Sequence, residues 1–450
     1  MGCKYERFPG KLWCPEEAWG TSAYCVLHTD LPEDATSEAF QLLNELKIVK
    51  VNERLEDNNY DFSGVILRDV DFSGRTIAQS LCFEGAVIKG DAIFNDVEVH
   101  GEALFDSVHI GGNTRFVRAK IGRGLSFCNA NLDGNFLFED TPAETGGSVN
   151  FEGAEVKGDV SLSSTKILGE VWFRSAVIGG GLFCNSVRVV YDAFLYDATI
   201  KGFVVFNAAR IWGQLDLSRA KIGASAWFER AIVGGDVLLY MTQIGGEADF
   251  KKTRFRRPEA QEIACRTAKQ ICERSGDRTA ADDYFYREME AKRKKSYKLL
   301  SGSARGLTRS LQADYLNVRY IENPWRRRKK RARFLLEDFY TFISRSVRYF
   351  ITLVVEGCFG YGVRFLRLVA TYVVIVIFFG LYYLYNQQTM LGFNNLENNL
   401  LFSFFTIIAP GYGISNIKPW IPEASVAVEA AFGAFLWAAL IAIFVKKYMR

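Results

Sequence analysis

Three cysteines and one histidine near the N-terminus are of the residue types that bind a metal ion. Cys3, Cys14, Cys25 and His28 form the series C-x10-C-x10-C-x2-H within the first thirty residues. Three thiolates and one imidazole fill all four positions of a tetrahedral zinc site, which makes a structural zinc ion the first hypothesis and excludes a catalytic one. The two wide spacings are not those of a strict zinc finger, so free buried thiols remain the alternative. A bound metal would be either structural or regulatory.

A second stretch, near the C-terminus, has the composition of a loop that binds ions through backbone carbonyl oxygens. It runs from Asn394 to Trp420 as NNLENNLLFSFFTIIAPGYGISNIKPW and lies between two long apolar segments. Asn394 and Glu397 predict the capped start of a short helix, which the apolar residues Leu400 to Ile408 continue. The glycines that follow allow backbone angles that turn successive carbonyls inward, and a ring of such carbonyls replaces the water shell of a cation.

This stretch resembles the pore helix and selectivity filter of two-transmembrane potassium channels, whose signature is TVGYG. The resemblance implies that the filter is formed by Thr406, Ala409, Pro410, Gly411, Tyr412 and Gly413, with potassium as the permeating ion. The last three of these residues match the signature, whereas Ala409 and Pro410 stand where the family has Thr and Val. Since Ala409 lacks the hydroxyl and Pro410 lacks a backbone donor, sodium, calcium and a non-selective pore stay open.

The segments on either side of the loop are long and apolar enough to cross a membrane. The first runs from Leu368 to Tyr385 without a charge, and the second runs from Ala424 to Val445. Basic residues flank the inner ends of both segments, namely Arg364, Arg367, Lys446 and Lys447. By the positive-inside rule, the sequence predicts a multi-pass protein of the cell membrane with both termini in the cytoplasm.

The second apolar segment contains a carboxylate, Glu429, which is costly inside a membrane and therefore usually functional. The sequence EAAFG, from Glu429 to Gly433, resembles the inner helix of the same channel family. We predict that Glu429 braces the filter through a hydrogen bond to the pore helix of its own or a neighbouring subunit. Gly433 is interpreted either as a gating hinge or as a site of close helix packing.

The middle of the chain is a repeat. Phe62, Leu67, Phe72 and Ile77 are five residues apart and resemble the pentapeptide repeat. From Ala86 to Lys252 the period is eleven, as in AVIKGDAIFND, apart from an insertion near Pro142 to Gly147. Positions one and three of each unit point to one side of an extended segment, as do positions seven and nine, so two units close one four-sided coil with a glycine corner at position five. The predicted fold is therefore mixed: a right-handed quadrilateral β-helix followed by an α-helical two-transmembrane pore domain with a re-entrant pore loop.

Helices are predicted on both sides of the repeat. Phe40, Leu43, Leu46 and Ile48 have helical spacing and predict a capping helix before it. The predicted divisions are 1–33 (Cys/His cap), 34–59 (helical cap), 60–255 (β-helix), 256–333 (helical hairpin and basic linker), 334–363 (amphipathic helix on the inner leaflet) and 364–450 (pore domain). The run Arg326 to Arg333 is predicted to contact anionic lipid of the inner leaflet. No nucleic-acid-binding motif accompanies this charge, so nucleic acid is not expected as a partner.

The overall interpretation is a homotetrameric cation channel with a cytoplasmic β-helix that regulates or assembles it. The chain has 450 residues, a net charge of +4 and nine scattered cysteines, which fit a reducing compartment. The outward positions of the repeat alternate basic and acidic residues without a cluster, and the ligand or protein that they would bind stays open. No nucleophile with its base, phosphate loop or carboxylate pair predicts an enzyme. The alternative function is a membrane-anchored scaffold whose β-helix binds a protein and whose pore is non-selective or vestigial.

Overall fold

The computed structural model describes residues 2–8, 11–12, 14–141, 145–317, 324–385, 395–408 and 420–448. These residues form two compact units, Met1–Tyr284 and Phe285–Arg450. The first unit is a parallel β-solenoid of about eight turns, and the second is helical.

Two eleven-residue units make one coil of the solenoid, which confirms the coil length that the repeat predicts. Most paired strands lie 22 residues apart, as Ala103 with Leu125 and His109 with Asn131, and those that span the insertion lie 24 apart, as Leu125 with Val149. The strands have two residues each and stack in parallel into four faces. The right-handed sense of the coil stays a prediction.

We number the four faces in chain order. Face 1 consists of Ile66–Leu67, Val87–Ile88, His109–Ile110, Asn131–Leu132, Glu155–Val156, Val177–Ile178, Thr199–Ile200, Lys221–Ile222 and Gln243–Ile244. Face 2 consists of Val70–Asp71, Ala92–Ile93, Thr114–Arg115, Phe136–Leu137, Val160–Ser161, Leu182–Phe183, Val204–Val205, Ala226–Trp227 and Ala248–Asp249. Face 3 consists of Thr76–Ile77, Glu98–Val99 and Lys120–Ile121 and, after the insertion, of Lys166–Ile167, Arg188–Val189, Arg210–Ile211, Ile232–Val233 and Arg254–Phe255. Face 4 consists of Leu81–Cys82, Ala103–Leu104, Leu125–Ser126, Val149–Asn150, Val171–Trp172, Ala193–Phe194, Leu215–Asp216 and Val237–Leu238.

The interior of the solenoid is a ladder of stacked side chains. The rings of Phe105 and Phe127 lie 4.8 Å apart and are nearly parallel, and those of Phe127 and Phe151 lie 5.3 Å apart. All three residues are fully buried. Because equivalent residues of successive coils lie directly above one another, each ring contacts the next, and burial of each contributes about 1.5–3 kcal/mol.

The corners of the coil have two different physical causes. The last residue of a unit adopts the left-handed conformation, as Asp96 (φ 56°) and Asn129 (φ 55°) do. The glycines at position five serve close approach instead, because a Cβ on Gly235 would lie 2.5 Å from the carbonyl carbon of Gly213 in the preceding coil. Glycine therefore marks the corner at position five, and the turn with positive φ lies at position eleven.

Both ends of the solenoid are covered. The first helix, α1 (Glu38–Glu56), lies near the N-terminal end, and an antiparallel pair, Glu6–Phe8 with Lys11–Leu12, belongs to the segment before it. At the other end α2 (Pro258–Ser275) contributes Ala264 and Ala268 to the same core. The helix α3 (Arg278–Asn317) begins there, and its Tyr284 hydroxyl donates to Asp249 at 3.0 Å.

The buried face of α1 differs in part from the predicted one. Phe40 and Leu43 are buried as the spacing predicts, but Ile48 is 52% exposed, so its assignment to that face was wrong. The residue on the buried face is Lys47, which is fully buried. The helical period of 3.6 explains this, since Phe40, Leu43 and Lys47 lie on one stripe and Ile48 lies beside it.

The described residues of the second unit form the later part of α3 and four further α-helices. They are α4 (Pro324–Phe359), α5 (Phe365–Tyr385), α6 (Leu396–Ile408) and α7 (Trp420–Tyr448), with a short 3-10 helix, Gly360–Gly362, before α5. Leu366–Tyr385 and Ala424–Val445 are apolar and long enough to cross a membrane. The basic run Arg326 to Arg333 forms the beginning of α4, and its side chains lie outside the described part of the chain.

We predict that Phe127→Ala lowers the free energy of unfolding by about 3–5 kcal/mol, because it leaves a cavity in a ladder that cannot collapse without breaking the coil register. Thermal unfolding followed by the β-sheet signal in circular dichroism measures the change. Tyr240→Ala is the matched control, since Tyr240 belongs to the same solenoid but is 72% exposed. Equal losses for the two variants would contradict the Phe ladder as the source of stability.

Candidate metal centre and helix-joining carboxylate

The four predicted metal ligands lie together in one buried cluster. Cys3, Cys14, Cys25 and His28 are all buried, and their ligand atoms lie within 4.8 Å of one another. The Cys14 and Cys25 sulfurs are 3.8 Å apart, and the Cys3 sulfur is 3.6 Å from His28 Nδ1. Residues that are 25 positions apart in sequence thus meet at one point, beside the first coil of the solenoid.

The imidazole of His28 is held in one orientation. Its Nε2 lies 3.0 Å from the backbone carbonyl oxygen of Ser63, which can only accept, so Nε2 carries the proton. The Tyr5 ring stacks on the imidazole with a centroid distance of 4.1 Å. The lone pair is therefore on Nδ1, which lies 3.1 Å from the Cys25 sulfur. Metal-binding histidines typically have such a partner on the second ring nitrogen.

Two of the distances match those of a tetrahedral zinc ion, whereas the 3.1 Å between the Cys25 sulfur and His28 Nδ1 is shorter than in such a site. With Zn–S bonds of about 2.3 Å and Zn–N bonds of about 2.0–2.1 Å, neighbouring ligand atoms are separated by roughly 3.5–3.8 Å. Two of the distances above are 3.6 and 3.8 Å. The contact between the two sulfurs lowers the pKa of Cys14 and, together with burial, raises the pKa of Cys25 to about 12, because the Cys25 thiol donates a hydrogen bond to the Cys14 thiolate. A cluster of this kind could bind a metal such as zinc.

A buried lysine near the cluster was not expected from the sequence. The Lys47 ammonium donates to the backbone carbonyls of Leu27 (3.0 Å), Thr29 (2.7 Å) and Ile66 (2.6 Å). All three of its N–H groups are thus satisfied, while burial lowers the pKa of Lys47 to about 8. Leu27 and Thr29 flank His28, so Lys47 fixes the backbone on both sides of that ligand. The only signal in the sequence was a charge on the apolar stripe of α1.

The second candidate site lies in the helical unit and centres on Glu429. This α7 residue is fully buried and accepts hydrogen bonds from Ser403 on α6 and Tyr383 on α5. Ser403 and Tyr383 are buried as well. The Glu429 carboxylate thus joins α7 to α5 and α6, and all three helices belong to one chain.

The remaining predicted pore residues are described only in part. Thr406 is fully buried on α6, where its hydroxyl donates to the Phe402 carbonyl at 2.8 Å. A Cβ on Gly433 would lie 2.3 Å from the Ile407 carbonyl oxygen, so this glycine permits close packing of α7 against the end of α6. The other predicted filter residues lie outside the described residues, namely Ala409, Pro410, Gly411, Tyr412 and Gly413.

Comparison of the chain with protein-family models, with curated proteins and with solved structures found no match.

A third polar cluster surrounds Glu356, near the end of α4. Its carboxylate forms an ion pair with Arg293 of α3 and accepts from the hydroxyls of Tyr286 and Tyr361, each at 3.3 Å. The Arg364 guanidinium lies 3.9 Å from the centroid of the Tyr286 ring. Burial raises the pKa of Tyr361, which has a positive φ of 56° in the 3-10 helix. The cluster connects α3 and α4 to the start of α5.

We predict that the full-length protein, produced in zinc-containing medium, holds about one zinc ion per chain, because three sulfurs and one nitrogen complete the coordination shell. Mass spectrometry of the metal content measures this. Cys25→Ser should lose the zinc, whereas Cys128→Ser, a change in a solenoid cysteine outside the cluster, should retain it. Zinc retained by Cys25→Ser would contradict the site.

We predict that Glu429→Leu destabilises the helical unit by about 1–3 kcal/mol for each of the two hydroxyls that it leaves buried without an acceptor. Thermal unfolding in detergent measures the loss. Glu397→Gln is the control, since Glu397 is exposed on α6 and glutamine retains the predicted capping interaction. A double-mutant cycle with Ser403→Ala should show a coupling of about 0.5–3 kcal/mol, and full additivity would contradict the contact.

Proposed function

We propose that the chain is one subunit of a homotetrameric cation channel of the cell membrane, with potassium as the permeating ion. One loop supplies only one wall of an ion pathway, so four copies around an axis are required. Backbone carbonyls of residues 409–413 coordinate the ion in this proposal, and both termini lie in the cytoplasm.

The observation that carries the proposal is the packing of α6. This helix has 13 residues and spans about 20 Å at 1.5 Å per residue, which is too short to cross a bilayer core of about 30 Å. It packs against α5 and α7, both of membrane-spanning length, and Tyr383 and Val426 from these helices enclose its Phe402. A short apolar helix held between two spans and followed at once by APGYG is the arrangement expected of a pore helix and its filter.

Glu429 has a defined task in this proposal. Its hydrogen bond to Ser403 fixes the pore helix three residues before Thr406, the first residue of the proposed filter. Because no water is available in the membrane core, the hydroxyls of Ser403 and Tyr383 have few alternative partners there. The carboxylate therefore braces the filter from behind. Gly433 serves the same packing, since any side chain on it would push against Ile407.

In this proposal the contacts of Glu356 couple α3 to the pore helices. Arg293 and Tyr286 on α3 contact the residue that also binds the turn before α5. The Arg367 side chain, near the start of α5, donates to the Glu356 backbone carbonyl at 3.0 Å. A displacement of α3 would therefore shift the inner end of α5, the first membrane-spanning helix of the proposal. In this proposal the β-solenoid regulates or assembles the pore through these contacts.

The second candidate function is a membrane-anchored scaffold with a non-selective or vestigial pore. The departures at Ala409 and Pro410 favour it, because they remove a filter hydroxyl and a backbone donor. The two functions share the fold and differ in conduction.

We predict that the purified protein carries a current in planar bilayers, with a reversal potential that follows the potassium gradient when sodium or calcium replaces potassium on one side. A current without this preference would retain the channel and reject the potassium filter. Silence under changes of voltage, calcium and pH would reject the channel in favour of the scaffold.

Glu429→Gln is the variant that tests the brace, and Glu397→Gln is its control. We expect Glu429→Gln to reduce both tetramer stability and conduction, because a neutral amide accepts hydrogen bonds more weakly than a carboxylate. Unchanged tetramers and unchanged currents would remove Glu429 from the mechanism while leaving the channel proposal standing.

A further inference from the structure

The register of the solenoid collects basic side chains that are far apart in sequence on one face. In the C-terminal part of face 3, the outward residue of each strand is, in order, Lys166, Arg188, Arg210, Ile232 and Arg254. Arg256 lies two residues beyond the last of these. The "basic face" denotes Lys166, Arg188, Arg210, Arg254 and Arg256. It corrects the expectation that the outward residues form no cluster.

Three arginines of the basic face carry charge that no described ion pair offsets. Arg188, Arg210 and Arg254 are exposed, and none of the described carboxylates forms an ion pair with them. Neighbouring strands are about 4.8 Å apart, so the four steps from Lys166 to Arg254 extend over roughly 19 Å. Like charges on directly paired residues of neighbouring strands destabilise a sheet. An anionic surface that lies against the face would remove this repulsion.

An exposed tryptophan belongs to the same surface. Trp212, two residues after Arg210, is 49% exposed, and the Arg256 guanidinium lies 4.5 Å from the centroid of its ring. Tryptophan is enriched at the level of lipid headgroups, where its ring is partly in apolar and partly in polar surroundings. Arginine is suited to phosphate because of its planar set of donors.

The charge is specific to this face. On face 1 the outward residues of the coils from Glu155 onward are Glu155, Val177, Thr199, Lys221 and Gln243. They contain one acidic and one basic residue, whereas the same coils place three arginines and one lysine on face 3. The strands of face 1 in the same coils thus have no such excess of basic residues.

We propose that the basic face docks on the anionic phospholipid headgroups of the membrane that holds the same chain. Two helices of this chain are of membrane-spanning length, so the solenoid is tethered to a bilayer and meets it at high effective concentration. Anionic leaflets attract clustered Lys and Arg residues near their surface. A free acidic protein or a nucleic acid would have to compete with this tethered surface. The proposal rests on the membrane attachment of the chain and not on ion conduction.

The test uses the full-length protein in nanodiscs of phosphatidylcholine with and without phosphatidylserine. An arginine-specific dicarbonyl reagent modifies exposed guanidinium groups, and mass spectrometry gives the rate at Arg210. We expect phosphatidylserine to slow this rate by about threefold or more, because headgroups cover the side chain, and high salt to reverse the effect.

Two charge-reversal variants make the test specific, with Arg210 kept as the reporter in both. Arg188→Glu/Arg254→Glu should abolish the protection of Arg210. Lys201→Glu/Lys221→Glu, an equal change of charge at Lys221 on face 1 and at Lys201 next to it, should preserve the protection. Both pairs replace exposed side chains, and circular dichroism verifies their fold.

Three outcomes would overturn the proposal. The first is an equal rate of Arg210 modification in nanodiscs with and without phosphatidylserine. The second is slow modification of Arg210 in neutral nanodiscs as well, which would indicate a protein contact or a second subunit. The third is an equal loss of protection in both variant pairs. Protection by nucleic acid or by an acidic polypeptide added to neutral nanodiscs, without protection by phosphatidylserine, would assign the face to that partner. Bilayer currents are measured separately, so the absence of current leaves this result interpretable.

Discussion

The stacking of each coil on the equivalent residues of the preceding coil, 22 residues earlier in most coils and 24 across the insertion, is the constraint on which the first unit depends. It aligns Phe105, Phe127 and Phe151 into one ladder and brings the backbone at Gly235 close to that at Gly213. Since the strands of each coil pair with the equivalent strands of the adjacent coils, an outward residue also lies next to its counterpart from the next coil. The same register therefore builds the apolar core, selects glycine at the corners and lines up the basic face.

A solenoid with this register has two open ends, and different interactions cover each of them. At the C-terminal end, the small residues of α2 pack on the last coil, and Tyr284 bonds to Asp249. At the N-terminal end, the Cys3–His28 segment is too short to have a core of its own. It is held by the sulfur and imidazole cluster, by Arg54 bonded to Glu16, and by Lys47 bonded to three carbonyls. A metal ion would replace weak thiol contacts with coordination bonds at this end.

Both units place one buried ionisable side chain where several segments meet. Lys47 supplies donors to three backbone carbonyls, and Glu429 supplies acceptors to two hydroxyls on different helices. In each case every polar atom of the buried group has a hydrogen-bond partner, and such a group stabilises one arrangement of its neighbours over others. The loss of either partner leaves an unsatisfied polar atom in the interior, so these contacts specify geometry more strictly than apolar packing does.

Much of the molecule was determined by local pattern. The eleven-residue period fixed the coil length, because alternation in short extended segments decides which side chains point inward, and the Cys3, Cys14, Cys25 and His28 types predicted the cluster that the fold assembles. Tertiary structure decided what depends on contacts between distant residues. It placed Lys47 in the interior and Ile48 outside, brought Ser403, Tyr383 and Glu429 together, and joined Arg188, Arg210 and Arg254 into one surface. The period shows that residues 22 apart are equivalent, but the sum of their charges on one face appears only when the coils are stacked in space.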